Sequence, residues 1–208
     1  MQYFLILAAL SLFLMIAFCS PSRGEPIEKK IFFKSPAFFY KIQELVEVYD
    51  KGDRVLPKIR KYNLNFDKRR MAYRDLSEID TLIIHHTAIS EDVSAARIDE
   101  EHKKIGWACI GYHYLIHKNG SIEKCRKNNM IGAHCQGYNS TSIGIALGGN
   151  FEKEKPTEEQ LEALKGLIAA LCVAYPNIKA VQGHCHYLAT ACPGCELNKL
   201  CEQLGIYK

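Results

Sequence analysis

A mixed central β-sheet flanked by helices, preceded by a helical N-terminal extension, is the fold class this sequence predicts, and three observations carry the prediction. Two short β-branched or apolar runs, Thr81 to Ile84 and Ala180 to Gly183, each end directly in a histidine. The pair Asn119-Gly120 lies between two strand-like stretches, which is a hairpin signature. Around these, apolar residues recur at helical spacing, so strands and helices alternate as they do when helices cover a sheet.

The chain begins with an almost unbroken apolar run of 17 residues, Tyr3 to Cys19, followed by Ser20, Pro21, Ser22, Arg23 and Gly24. A core helix of a globular domain would show a polar face and this run shows none, so it reads as an export signal. Small residues at Ser22 and Gly24 suit cleavage before Glu25. No Lys or Arg precedes the run, so an uncleaved signal anchor is the alternative. Residues 1–24 are therefore expected to be a signal peptide or anchor, and the protein to be secreted or bound to the cell envelope.

Next comes a helix with Ser35 as cap and Pro36 in the first turn, along which Phe38, Ile42, Leu45, Val46 and Tyr49 recur until Gly52 stops it. From Arg54 to Arg74 there are eight basic residues against the single acid Asp67, whereas from Leu76 onward 13 basic residues face 15 acidic ones. That contrast divides a helical and basic extension, 25–75, from a near-neutral domain, 76–208. The plain reading of the basic arm is a solvated surface. Its functional reading is adsorption to a membrane or an anionic wall polymer. The net charge of +4 gives no argument for a nucleic-acid partner.

Within the domain, Thr81 to Ile84 is a buried strand, Val93 to Lys104 a helix, and Tyr112 to His117 with Ser121 to Lys124 the arms of the hairpin. Ile143, Ile145 and Leu147 alternate with Gly144 and Ala146, which predicts a central strand with one face packed close against something. Thr157 and Gln160 have capping-box spacing ahead of a long helix through Leu161, Leu164, Ile168, Leu171 and Tyr175, which Pro176 ends. Ala180 to Gly183 is a further strand and Leu197 to Leu204 a last helix.

Chemistry belongs where strands end. His85 and His184 follow two strands, and Cys192 lies eight residues after the second. Two imidazoles and a thiolate fill three of the four tetrahedral positions of zinc, the count of an open, catalytic site. Spacing alone leaves two other arrangements open. Cys185, His186, Cys192 and Cys195 would make a closed structural cluster, and Cys192-Pro193-Gly194-Cys195 a redox pair.

The segments LIIHHTA (82–88), GWACIGYHYLIHKNGSIE (106–123), IGAHCQGYNSTSIGIALGGNF (131–151) and GHCHYLATACPG (183–194) resemble the N-acetylmuramoyl-L-alanine amidase type 2 family, which includes peptidoglycan recognition proteins and amidase-type phage lysozymes. The resemblance runs in order from about residue 80 to residue 204 and excludes the first 75 residues. It implies an exported hydrolase that cuts the amide between the lactyl group of N-acetylmuramic acid and L-alanine in peptidoglycan, with Zn2+ as cofactor, peptidoglycan or muropeptides as partner, and a monomeric state. Its catalytically silent counterpart would be a module that recognises muropeptides without cutting them. By the same resemblance His85, His184 and Cys192 match zinc ligands and Tyr112 matches the catalytic tyrosine. Thr190 stands where phage members carry lysine and recognition-type amidases threonine.

These roles make chemical sense. Tyr112, with an ordinary pKa of about 10, is a neutral donor for a tetrahedral oxyanion, and the Thr190 hydroxyl can act likewise. His86 is expected to face away from His85, because neighbouring residues at a strand end point to opposite sides, and His113 likewise from Tyr112. His102 and His117 read as structural. His134 lies in the GAHCQGYN loop, where the resemblance implies a substrate-binding position, with a structural role as the alternative. Among the remaining cysteines a pair such as Cys195 with Cys201 is within reach of a disulfide, with connectivity open.

Overall fold

The apolar runs 81–86 and 142–147 lie side by side inside a six-stranded sheet. The computed structural model describes residues 59–203 and 205–207; the apolar run 3–19 and the helix expected after Ser35 lie outside the described residues. The described elements are β1 (Ile59–Lys61), β2 (Thr81–His86), α1 (Ala95–Lys104), β3 (Tyr114–Ile116), β4 (Ile122–Lys124), β5 (Ser142–Leu147), α2 (Glu158–Ala174), β6 (Ala180–Gly183) and α3 (Cys195–Gln203). Strand order is β1-β4-β3-β5-β2-β6, with the β3–β4 hairpin antiparallel and the other neighbours parallel. The sheet is thus mixed and the domain α/β, as the sequence predicts.

Every residue of β2 and β5 is buried, the behaviour of parallel strands covered on both faces. On one face Leu82, Ile84, Ile143, Ile145 and Leu147 meet Leu164, Leu167, Ile168 and Leu171 of α2, with Leu197 of α3 beside them. Full burial of each such side chain stabilises by roughly 1.5–3 kcal/mol. On the other face Ala95 and Ile98 of α1 pack with Ile110, Leu115 and Ala146.

The capping box forms as expected: the Gln160 N–H donates to Thr157 Oγ1 and the Thr157 N–H to Gln160 Oε1, both at 3.1 Å. Gln160 is also fully buried and donates its side-chain amide to the Gly148 carbonyl at 2.8 Å, so the cap docks α2 on the end of β5. Helix α1 starts at Ala95 instead of Val93, because Ser94 caps it by accepting the Arg97 N–H at 3.3 Å. Helix α3 begins at Cys195, two residues before the expected start.

The basic segment divides in two. Its strand β1 pairs with β4, Tyr62 and Leu64 pack against the second core cluster, and Tyr73 bridges Met130. No alternation marks β1, whose three side chains are all exposed. Arg60, Lys61, Lys68, Arg69 and Arg70 are exposed. Arg74, expected on a solvated arm, is only 7% exposed: its guanidinium donates to the carbonyls of Asn128, Asn139, Ser140 and Ser142 at 2.7–3.1 Å. Among the described residues no helix is long and apolar enough to cross a membrane.

Candidate metal centre

Parallel register sets the two strand-end histidines side by side. Ile84 pairs with Gly183 across β2 and β6, so the next residues, His85 near the end of β2 and His184 just past β6, lie at one level, and their rings are 4.6 Å apart. His184 opens a 3-10 turn, His184–His186, that starts the return towards Cys192. The Cys185 N–H donates to the Cys192 carbonyl at 2.8 Å and closes that loop. Cys192 Sγ then stands 3.5 Å from His85 Nδ1, and the ligand atoms of His85, His184 and Cys192 all lie within 4.8 Å of one another.

The donor set fits a cation. Zinc–nitrogen and zinc–sulfur bonds in a tetrahedron separate the two ligand atoms by about 3.5 Å, the spacing seen between Cys192 Sγ and His85 Nδ1. His184 Nε2 is buried without a hydrogen-bond partner, an arrangement that costs about 1–3 kcal/mol unless a Lewis acid takes the lone pair. Burial, with His134 and His184 beside it, holds His85 well below the usual imidazole range, so its lone pair is available at neutral pH. Burial also lowers the pKa of His184. The Cys192 thiol is pushed up to about 12, chiefly by burial, so this pocket takes up the negative charge of a thiolate only together with a cation.

Tyr112 packs its ring 5.2 Å from that of His85, and burial raises its pKa further above the phenolic value. Beside it, His102 accepts the Gly111 N–H at Nδ1, 3.0 Å, and its ring lies tilted against those of Trp107 and Tyr112, with centroids 4.5 and 5.7 Å away. Thr190 is exposed, and its hydroxyl oxygen accepts the Cys192 N–H at 3.2 Å, which leaves its proton to donate elsewhere.

Of the two roles open to His134, substrate binding and structure, its surroundings favour the second. It is 7% exposed, with Nδ1 lying 3.1 Å from His85 Nε2, on the side of His85 away from Cys192. A ring so enclosed has little surface to offer a ligand. His86 faces the opposite side of the sheet, where its Nδ1 accepts the Phe151 N–H at 3.3 Å. His113 is fully buried and accepts the Gly144 N–H at Nδ1, 3.0 Å; burial, with Arg74 next, pulls its pKa down to about 3.

The rival arrangements do not assemble. Cys185 Sγ sits 3.4 Å from Asn198 Oδ1 and Cys195 Sγ turns to the Phe151 carbonyl at 3.8 Å. Among the described residues, His85, His184 and Cys192 are the group of three whose ligand atoms converge. The eight described cysteines, Cys195 and Cys201 included, are free thiols. Sequence reasoning missed Arg74 and Ser142. Arg74 lies outside the motifs, and Ser142, although inside the segment 131–151, shows its role only through partners that the fold brings together.

Fold and site together define a class: an α/β domain whose parallel strand ends present two histidines and a cysteine able to hold a metal ion, with a tyrosine beside them. A family model described as N-acetylmuramoyl-L-alanine amidase matches residues 75–195, more than half of the chain, and the protein belongs to that family. The endolysin of Enterobacteria phage K11 is 31% identical over 137 residues, 62% of this chain and 90% of the endolysin. A peptidoglycan-recognition protein of Drosophila melanogaster is 36% identical over 126 residues, 56% of this chain and 69% of that protein. Among solved structures, the N-acetylmuramoyl-L-alanine amidase LysC from Clostridium intestinale superposes with a TM-score of 0.64 at 33% identity, covering 72% of this chain and 98% of the amidase.

Proposed function

We propose that the protein is an exported, zinc-dependent N-acetylmuramoyl-L-alanine amidase that hydrolyses the amide between the lactyl group of N-acetylmuramic acid and L-alanine. The observation that carries the reading is the convergence of His85, His184 and Cys192 within 4.8 Å, beside Tyr112. Zinc held by these three side chains would supply a Lewis acid for the amide carbonyl and an activated water for its hydrolysis. The two histidines contribute neutral donors and Cys192 the one negative charge. Tyr112, kept protonated at neutral pH, donates to oxygen as negative charge develops on it. Thr190 adds a second neutral donor, oriented by the Cys192 backbone. Export rests on the apolar run 3–19.

The test is digestion of purified peptidoglycan by the mature chain, with and without chelator, read by mass spectrometry. Free L-alanine amino termini without new reducing sugar ends, abolished by chelator and restored by zinc, are the expected products. Cys192→Ser should fold, bind less than stoichiometric zinc and release almost nothing. Binding of muropeptide without any cleavage, at full zinc loading, would make the protein a recognition module.

A further inference from the structure

The surroundings of His134 are built to hold one ring in one orientation. A Cβ at Gly132 would come within 2.4 Å of the His134 imidazole, and one at Gly144 within 2.5 Å, so both glycines leave space that the ring fills. The alternation of Gly144 with isoleucines along β5 has this close neighbour as its cause. His113 meets the ring edge-on, with centroids 5.6 Å apart. From below, Asn139 Oδ1 accepts the backbone N–H groups of His134 and Cys135, each at 2.9 Å, which fixes the loop that carries it.

Hydrogen-bond direction can be read from the far end of this chain. Ser142 Oγ lies 2.7 Å from the Tyr138 carbonyl, an acceptor with no proton to give, so the serine hydroxyl must donate there. Its oxygen then faces His134 Nε2, 3.5 Å away, as an acceptor, the polarity that an imidazole proton on Nε2 matches. His134 Nδ1 is left as an acceptor, facing His85 Nε2 at 3.1 Å. His85 must supply that proton from Nε2, and its Nδ1, the nitrogen 3.5 Å from Cys192 Sγ, keeps a bare lone pair.

We propose that His134 is a positioning residue for His85: through the chain Tyr138 carbonyl, Ser142, His134, it locks His85 in the Nε2–H tautomer that presents Nδ1 to the metal. This rests on the zinc reading above. A histidine ligand usually gives its second N–H to a carboxylate, a carbonyl or water; here a second, buried imidazole takes that place. His134 touches neither substrate nor metal in this arrangement.

Two measurements on the mature chain test the proposal separately from the zinc reading. Long-range proton–nitrogen correlation spectra of the metal-free protein should show His85 protonated on Nε2 and His134 on Nε2. A His85 protonated on Nδ1 overturns the proposal whatever zinc does. Zinc affinity, measured by competition with a chromophoric chelator, should fall about 10- to 100-fold in His134→Leu. It should recover most of that loss in His134→Asn, whose side-chain oxygen reaches the position of Nδ1. Ser142→Ala, a smaller change for use if the leucine variant fails to fold, should weaken zinc binding in the same direction and leave His85 mixed between tautomers. Equal affinities in all variants, with the wild type binding zinc, would reduce His134 to a packing residue. A wild type that binds no zinc but shows the Nε2–H tautomer would instead remove the zinc reading and leave the hydrogen-bond chain standing.

Discussion

Tyr112 differs from the ligands in what its loss should do. Its ring packs against those of His85 and His102, so Tyr112→Phe keeps the packing and deletes one hydroxyl. If that hydroxyl acts on the developing oxyanion, kcat and kcat/KM should fall together by about 100-fold or more. A rise in KM with kcat unchanged would make Tyr112 a binding residue. Steady-state kinetics on a soluble muropeptide distinguish the two. His85, His184 and Cys192 were legible in the sequence because each follows an apolar run or lies in a motif, and parallel register alone brings the first two together. The role of His134 was not. Its place in the loop was visible, but whether it faces a groove or the back of His85 depends on Gly132, Gly144 and Ser142 closing around it in three dimensions.

At the scale of elements, the loop between β4 and β5 carries His134, and one side chain from outside the motifs holds it. Arg74 donates to four carbonyls spread from Asn128 to Ser142, partners 54 to 68 residues away in sequence. Burial lowers its pKa to about 10, still far above neutrality, so the charge persists and each bond is charge-assisted. Arg74→Ala would leave buried carbonyls without donors and should cost at least about 2 kcal/mol. For a domain of this size that is roughly 4 °C or more in Tm, with zinc affinity falling as the loop loosens. An unchanged melting temperature would show that water replaces the guanidinium at no cost. Local signals fared better elsewhere: the capping box of α2 and the Asn119-Gly120 hairpin act within a few residues and were readable, whereas β1 and Arg74 act only through distant partners.

For the whole molecule, the charge asymmetry seen in the sequence survives in the fold in reduced form. Arg69 pairs with Asp67 at 2.9 Å and Arg70 donates to the Gly106 carbonyl at 2.7 Å, both at the surface. Arg60, Lys61 and Lys68 are exposed on the same segment. We propose that these exposed bases assist adsorption to anionic wall or membrane polymer and take no part in the chemistry. Deleting the segment cannot test this, because β1, Tyr62 and Arg74 belong to the fold. Neutralising the three exposed bases to glutamine can. Charges of this kind are screened over about 8 Å at physiological salt, so the triple variant should lose activity on intact walls at low ionic strength and match the wild type as salt is raised. On a small soluble muropeptide the two should be equal at every ionic strength, with the same Tm. A triple variant as active as the wild type on intact walls at low salt would end the adsorption proposal, and one slowed equally on the small substrate would tie these residues to the site instead.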